Sequence, residues 1–294
     1  MESKNILITG CSSGIGKNAA ITLHNKGWRV FATCRSKNDC NFFKNLGIES
    51  FELDLKREVS INNAVKLIKE KTKSQLDALY NNGAYAIPGA IQDMPRDALR
   101  EIFEVNVFGQ IDLINKCIPL MMTSKSPKII NCSSVLGFIS LPYRGVYSAT
   151  KFSIEALTDG MRRENYYDKL KFILIQPGPI NTSIKQNSLK HFERWLDWKN
   201  STHKKTYENK VLKRLYNNNS KNSLSYFELQ PEAVTKILIK VLNSKRPKER
   251  YKITIPTRIA KIMITFLPTN VPVSYTHLRA HETVLDLVCR LLLE

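Results

Sequence analysis

The feature that most constrains the fold is a short apolar run that leads directly into a glycine-rich turn. Residues 5–9 form a short, mainly apolar run that predicts a buried strand, and residues 17–26 follow with helical periodicity. Gly10 permits a tight turn, Gly14 permits close approach of the backbone to a ligand, and Gly16 permits close packing of the helix on the strand. A strand, a glycine-rich turn and a helix in this order are typical of a site that holds pyrophosphate at a helix N-terminus.

The rest of the chain alternates between strand-like and helix-like segments. Further strands are expected at residues 29–33, 50–53, 76–80, 128–132, 171–176 and 251–255. Helices are expected at residues 62–71, 96–122 with an interruption near Gly109, 147–166 and 231–242. This alternation predicts an α/β fold, a Rossmann-type doubly wound parallel sheet with helices on both faces. The 294 residues, 43% of them hydrophobic, suffice for one large domain, expected over residues 1–272.

Two segments depart from this alternation. Residues 183–229 are polar and basic, carry Phe192, Trp195 and Trp198, and are too long for an ordinary connection. A helical lid over a substrate site is one interpretation, and a surface excursion whose aromatic side chains pack on the body is the other. Residues 259–267 are apolar but too short to span a bilayer. They could lie at a membrane surface, cap the substrate pocket or cover a partner subunit.

The last residues, 273–294, do not resemble the rest of the chain. Residues 273–283 match the translation of a transposase-type sequencing-library adaptor, and residues 287–293 match the translated outer adaptor. We therefore expect a non-native tail after about residue 272. His277, His281 and Cys289 carry no functional argument for that reason.

Charge and cysteine content narrow the class of protein. The formal net charge is +19, yet the basic residues are dispersed and the densest run, residues 203–205, is short. This favours a generally basic surface over nucleic-acid binding. The six cysteines show no Cys-x-x-Cys pair or zinc-like spacing, so we expect buried reduced thiols and no metal. Residues 1–4 lead directly into a core strand without a signal peptide, which indicates a cytoplasmic location.

A tyrosine, a lysine and a serine predict the chemistry. Tyr147 and Lys151 are four residues apart on a predicted helix, and Ser134 lies thirteen positions before the tyrosine. The lysine ammonium is expected to lower the tyrosine pKa from about 10, so that the phenol exchanges a proton with a carbonyl oxygen near neutral pH. The serine hydroxyl could hold the same oxygen. Together these residues predict interconversion of a carbonyl and an alcohol.

The end of the second predicted strand indicates which hydride carrier binds. An acid at this place would hydrogen-bond a free ribose 2′-hydroxyl and repel a 2′-phosphate, but none occurs before Asp39. Arg35 is placed to bind the phosphate bidentately. NADP is therefore preferred over NAD, and an ordinary exposed arginine is the alternative interpretation of Arg35.

With these motifs in place, residues 3–272 resemble the short-chain dehydrogenase/reductase family in its compact single-domain branch. Residues 9–16 match the family's Thr-Gly-x-x-x-Gly-x-Gly loop, and residues 177–182 match its Pro-Gly loop beside the nicotinamide. Residues 81–84, Asn-Asn-Gly-Ala, correspond to Asn-Asn-Ala-Gly with the last two exchanged. Within the family the chain is most similar to bacterial aldehyde and ketone reductases and to steroid and retinol dehydrogenases.

The resemblance implies a set of site residues. Tyr147 would donate the proton in reduction and accept it in oxidation, Lys151 would bind the nicotinamide ribose, and Ser134 would hydrogen-bond the reacting oxygen. Asn106 matches the family's catalytic asparagine, which holds a water linked to the lysine. The residues expected to bind cofactor are Gly10, Ser12, Ser13, Gly14, Ile15, Gly16, Arg35, Asp54, Leu55, Asn82, Gly83, Tyr147, Lys151, Pro177, Gly178, Ile180 and Thr182.

The expected substrate pocket is mostly apolar. Its residues are Ser134, Tyr85, Ile87, Leu136, Tyr143 and Pro179. A small to medium-sized hydrophobic aldehyde or ketone is therefore the expected substrate. The resemblance also implies a homodimer paired through helices around residues 106–122 and 148–166.

The alternative function is a cofactor-binding regulator without turnover. An epimerase of the family's extended branch would need a glycine spacing that this chain lacks.

Overall fold

Seven parallel strands form one sheet in the order β3-β2-β1-β4-β5-β6-β7 within the part of the chain that the computed structural model describes, residues 3–164, 169–216 and 228–266. The strands are β1 Asn5–Ile8, β2 Arg29–Cys34, β3 Glu49–Glu52, β4 Ala78–Asn81, β5 Lys128–Cys132, β6 Lys171–Gln176 and β7 Arg250–Lys252. The predicted Rossmann-type parallel sheet is confirmed. The predicted tail, residues 273–294, lies outside the described residues.

Helices cover both faces of this sheet. They are α1 Gly14–Asn25, α2 Lys37–Asn45, α3 Glu58–Thr72, α4 Arg96–Phe103, α5 Gly109–Met121, α6 Gly145–Glu164, α7 Ile184–Trp195, α8 Lys204–Thr206, α9 Lys213–Tyr216, α10 Pro231–Asn243 and α11 Ile255–Phe266. Residues of α1, α2 and α10 pack into one apolar cluster, and residues of α3 and α5 pack into another. The sheet lies between the two clusters.

The strands divide their side chains between these clusters with a period of two. In β1, Ile6 and Ile8 enter the cluster with α1, whereas Leu7 enters the cluster with α3. All three side chains are fully buried. A strand that buries both faces favours apolar residues, which explains the apolar run at residues 6–8.

Three local features differ from the sequence expectations or refine them. The last strand is shorter than predicted and ends at Lys252, because Thr254 accepts a hydrogen bond from the Thr257 amide and caps α11. The helix α2 was not predicted; its N-terminus is capped by Ser36, which accepts from the Asp39 amide. The predicted interruption near Gly109 is a π-helical turn, Glu104–Phe108, between α4 and α5.

The segment predicted as a lid is helical where it is described. Phe192 of α7 and Tyr207, which follows α8, are fully buried in a cluster that contains Tyr85 and Met94. The aromatic residues of the segment predicted as a lid therefore pack on the loops that follow β4. Residues 217–227 lie outside the described residues, and action as a lid stays a prediction.

Other expectations concern thiols, membranes and partners. The cysteines within the described ranges, Cys11, Cys34, Cys40, Cys117 and Cys132, are free and buried. Of the helices described, none has the length and apolar character needed to cross a bilayer. Phe108 and, on α6, Phe152 and Leu157 are exposed at the helices for which pairing is expected, and pairing itself stays a prediction.

Candidate active site

The candidate site opens at the carboxyl ends of β1 and β4, where the strand order reverses. Parallel sheets of this topology leave a crevice at that point. The crevice is a cavity of about 810 Å³. Gly10 lines the cavity and has a φ of +69°. A Cβ on this residue would lie 2.6 Å from the Gly83 Cα, so both the backbone conformation and the available space require glycine.

Most residues expected to bind cofactor line this cavity. They are Gly10, Ser12, Ser13, Gly14, Ile15, Arg35, Asp54, Leu55, Asn82, Gly83, Tyr147, Lys151, Pro177, Gly178, Ile180 and Thr182. Gly16 does not line the cavity, because it packs α1 against the Gly10 carbonyl and the Asn82 amide. The glycine-lined cradle at the start of α1 fits the phosphates of a dinucleotide, whose negative charge suits a helix N-terminus.

Thr9 joins the two loops that form the nucleotide half of the site. Its hydroxyl oxygen accepts hydrogen bonds from the backbone amides of Asn82 (3.0 Å) and Gly83 (2.9 Å). The Asn82 side chain donates in return to the carbonyls of Thr9 and Gly10, at 3.1 Å each. The exchanged Gly83-Ala84 pair therefore keeps a well-bonded backbone. Sequence reasoning used Thr9 as part of the loop motif but missed this positioning role.

A second contact holds the Pro-Gly loop against the glycine loop. A Cβ on Gly14 would lie 2.9 Å from Cγ2 of Thr182, so the two loops meet across the cavity. Gly14 also has φ +55°. Gly178 approaches the hydroxyls of Thr254 and Thr257 too closely to carry a side chain without a shift. The loops after β1 and β6 are thus fixed by tight packing.

Arg35 lies at the cavity edge, exposed at the end of β2. The nearest acid along the chain, Asp39, accepts a hydrogen bond from the Ser36 hydroxyl at 2.7 Å as part of the α2 cap. In the described ranges no carboxylate forms an ion pair with Arg35. Its guanidinium remains available to an anionic ligand group.

The structure brings Ser134, Tyr147 and Lys151 to one wall of the cavity. The lysine Nζ lies 5.7 Å from the centroid of the Tyr147 ring and donates a 2.7 Å hydrogen bond to the Cys132 carbonyl. The Ser134 hydroxyl accepts from the Leu136 amide at 3.1 Å, which leaves its own proton free to donate. The end of β5 and the first turns of α6 thereby assemble a hydroxyl, a phenol and an ammonium.

The pKa of Tyr147 shifts in the opposite direction to that expected from the sequence. Burial raises the pKa of Tyr147, with a further rise from Cys132, and the nearby cation that acts to lower it is Arg144. Burial lowers the pKa of Lys151, and Cys132 and Glu155 act in the opposite direction. The structure therefore does not show the expected lowering of the Tyr147 pKa by Lys151, because removal of the phenolate from water dominates.

Asn106 lies behind the cavity wall rather than on it. Its side-chain oxygen accepts from the Tyr85 amide (3.1 Å), and its side-chain nitrogen donates to the Tyr85 carbonyl (2.8 Å) and to the Thr150 hydroxyl (3.2 Å). It sits in the π-helical turn, a deformation that is frequent at functional sites. These bonds brace the Tyr85 loop against α6, and the water-holding role stays a prediction.

The residues expected to bind substrate separate into two groups. Ser134, Tyr85, Leu136 and Pro179 line the cavity. Ile87 is buried in the apolar cluster behind it, and the Tyr143 ring lies against Tyr207 with its hydroxyl 3.2 Å from Nδ1 of His203. Among the cavity residues that sequence reasoning missed are two arginines, Arg144 and Arg214. Arg144, three positions before Tyr147, could have been found from that spacing.

Comparison with known proteins agrees with this geometry. A family model described as short chain dehydrogenase matches residues 4–192. The uncharacterized oxidoreductase YbbO of Escherichia coli (strain K12) is 32% identical over 269 residues, which cover 91% of this chain and 92% of that protein. The chain belongs to the short-chain dehydrogenase/reductase family and is an oxidoreductase.

Two further proteins show which cofactors similar chains use. A protein named NADPH-dependent 3-dehydrocapnine reductase, from Ornithobacterium rhinotracheale, is 37% identical over 186 residues, 60% of this chain and 66% of its own. A Burkholderia phymatum short-chain dehydrogenase/reductase, solved in complex with NAD, superposes with a TM-score of 0.72 at 19% identity over 90% of this chain and 95% of that chain. The structural likeness supports the fold.

Proposed function

We propose that this protein is an NADP-dependent oxidoreductase that interconverts a carbonyl and an alcohol on a small to medium-sized, largely apolar substrate. The observation that carries the proposal is the meeting of Ser134, Tyr147 and Lys151 on one wall of a cavity whose other half is a glycine-lined cradle. A proton donor and a place for a hydride carrier thus share one cavity.

The protein's own residues perform the proton chemistry. A bound nicotinamide supplies or accepts the hydride. Tyr147 gives its phenolic proton to the carbonyl oxygen in reduction and takes it back in oxidation. Ser134 donates a hydrogen bond to the same oxygen as negative charge develops there.

Lys151 acts beside this pair as a positioning cation. Its Nζ uses one proton on the Cys132 carbonyl, and two protons remain for ribose hydroxyls and the phenol. The side chain is only 2% exposed, so its position is closely defined. Lys151 therefore contributes both cofactor binding and a positive field at the reacting oxygen.

Arg35 supports the preference for NADP. It is a cation at the cavity edge where a 2′-phosphate would lie, and the neighbouring acid Asp39 is engaged by Ser36. One relative is named as NADPH-dependent, whereas the solved neighbour holds NAD. The choice between the two cofactors therefore depends on this chain's own residues.

Oxidation of NADPH in the presence of a panel of aldehydes, ketones and retinoids tests the proposal. We expect turnover with apolar carbonyl compounds and slower turnover with NADH. A panel without turnover, although calorimetry shows that NADPH binds, would contradict the proposed reaction and favour a regulator. Binding of neither cofactor would contradict the assignment of the cradle.

A further inference from the structure

Two arginines that the proposed mechanism does not use face the substrate half of the cavity. Arg144 immediately precedes α6, and Arg214 lies in α9 of the segment predicted as a lid. Both line the same cavity as Tyr147, together with apolar side chains such as Leu136 and Leu141. Two arginines from separate elements thus converge on one cavity, which Lys210 also lines.

Neither cation is compensated within residues 3–164, 169–216 and 228–266. No carboxylate there pairs with Arg144 or Arg214, and Glu228, on the same cavity wall, has contacts of its own. Burial and, to a lesser extent, repulsion from Arg214 lower the pKa of Arg144 to about 10, while Tyr147 acts in the opposite direction. The Arg144 side chain is half-buried and that of Arg214 is exposed, so both guanidinium groups can be reached by an anionic group in the cavity.

The backbone beside Arg144 is held in a strained turn. Tyr143 has φ +60°, a region that a bulky residue adopts only where the surroundings enforce it. Its carbonyl accepts from the Gly89 amide at 2.9 Å, and its hydroxyl contacts Nδ1 of His203 at 3.2 Å. These contacts direct the Tyr143 ring toward the segment predicted as a lid and leave Arg144 on the cavity wall.

We propose that Arg144, supported by Arg214, binds an oxyanion group of the substrate, so that the substrate is a carbonyl compound with an acidic group on an apolar body. A guanidinium offers the forked donors that match a carboxylate, sulfonate or phosphate. The cofactor phosphates are assigned to the glycine loop and Arg35, whereas Arg144 neighbours Tyr147 in the sequence. This inference rests on the proposed function, whose substrate class it makes more specific.

A matched substrate pair tests the inference by kinetics. The ratio of kcat/KM for 4-formylbenzoate to that for its uncharged methyl ester should be roughly tenfold or more in the wild-type protein. In Arg144→Gln the ratio should fall to about one or below, and Arg144→Lys should restore part of it. Arg100→Gln is the matched control, because Arg100 is an exposed residue of α4 that pairs only with Asp97 among the described residues.

The ratio separates substrate binding from an effect on the phenol. If Arg144 acted only by lowering the pKa of Tyr147, Arg144→Gln would change turnover of acid and ester by the same factor. The pH profiles of both substrates would then shift together. That result, or a wild-type preference for the ester, would overturn the inference.

Binding without turnover tests the anion site independently of the reaction. We expect calorimetric titration of the NADP⁺-saturated protein to show tighter binding of benzoate or benzenesulfonate than of benzamide, and loss of the difference in Arg144→Gln. This result would support the anion site even if no aldehyde were reduced, in which case the proposed reaction alone would fail. Equal binding of acid and amide, or weaker binding of NADP⁺ itself to Arg144→Gln, would overturn the site.

Discussion

The buried hydroxyl of Tyr207 is predicted to hold the segment that carries Arg214 against the body of the protein. It donates to the Asp93 carboxylate at 2.6 Å and accepts from the Ala90 amide at 2.9 Å, and the residue is fully buried. Tyr207→Phe removes both bonds and leaves the Ala90 amide without that partner. A hydrogen bond to a charged group is worth about 1.5–3 kcal/mol, and an unsatisfied buried donor costs about 1–3 kcal/mol.

We therefore expect Tyr207→Phe to lower the free energy of unfolding by about 2–4 kcal/mol, since Asp93 keeps the Ser201 hydroxyl as a donor. The melting temperature should fall by roughly 4–10 °C at fixed pH and without cofactor. Tyr216→Phe is the control, because the Tyr216 hydroxyl bonds Glu193 at 2.7 Å at an exposed position. That variant should lose at most about 0.5 kcal/mol. Equal melting temperatures for the two variants would refute the reasoning.

Two further predictions concern the cofactor and acid stability. Arg35→Asp should weaken NADPH binding by roughly 10- to 100-fold and raise the relative affinity for NADH, measured by cofactor fluorescence; an unchanged preference would count against the assignment. Partial burial acts to raise the pKa of Glu101, but Lys56 and Arg194 outweigh it and the pKa is lowered from 4.5. Its stabilising contribution is therefore present above that value and lost as the pH falls through the folded pKa. The urea midpoint should fall more between about pH 5 and about pH 3 in the wild-type protein than in Glu101→Gln, and parallel curves would contradict this.

The sheet could be predicted from the sequence because each buried strand appears there as a short, mainly apolar run. The mainly apolar run at residues 5–9 predicts β1. The glycines that follow are needed where the backbone packs too closely for a side chain, as Gly10 does against Gly83. The helix α2 left a weaker mark, since only Cys40 and Phe43 are buried in a polar stretch. Its capping serine, Ser36, followed three residues later by an acid, was the available signal.

The sequence predicted which residues form the candidate site, but not how they are buried and packed. Ser134, Tyr147 and Lys151 were named from spacing, and the structure places them on one wall. What spacing could not show is burial, which raises the pKa of Tyr147 against the expected direction. Nor could it show that Arg214 reaches the cavity, because that contact depends on how the segment predicted as a lid packs.

Tyr143 shows why the direction of a side chain also escapes sequence reasoning. Its position in the loop before α6 suggested contact with substrate, but a positive φ turns its ring to Tyr207 and His203. The direction of the Asn106 side chain was not predicted either, since a π-helical turn directs its amide to the Tyr85 backbone. The sequence predicted an interruption near Gly109, but neither the direction of the Asn106 amide in that turn nor the positive φ of Tyr143 could be read from the residue pattern.

The role of Tyr147 as proton donor is the central claim, and Tyr147→Phe tests it most directly. We expect kcat for NADPH-dependent carbonyl reduction to fall by at least about 100-fold, because general acid catalysis is lost. The dissociation constant for NADPH should stay within about threefold of the wild-type value. Tyr251→Phe is the matched control, because among the described residues the Tyr251 hydroxyl has one hydrogen bond, which it accepts from the Lys248 amide beside β7. Wild-type turnover in Tyr147→Phe would contradict the account.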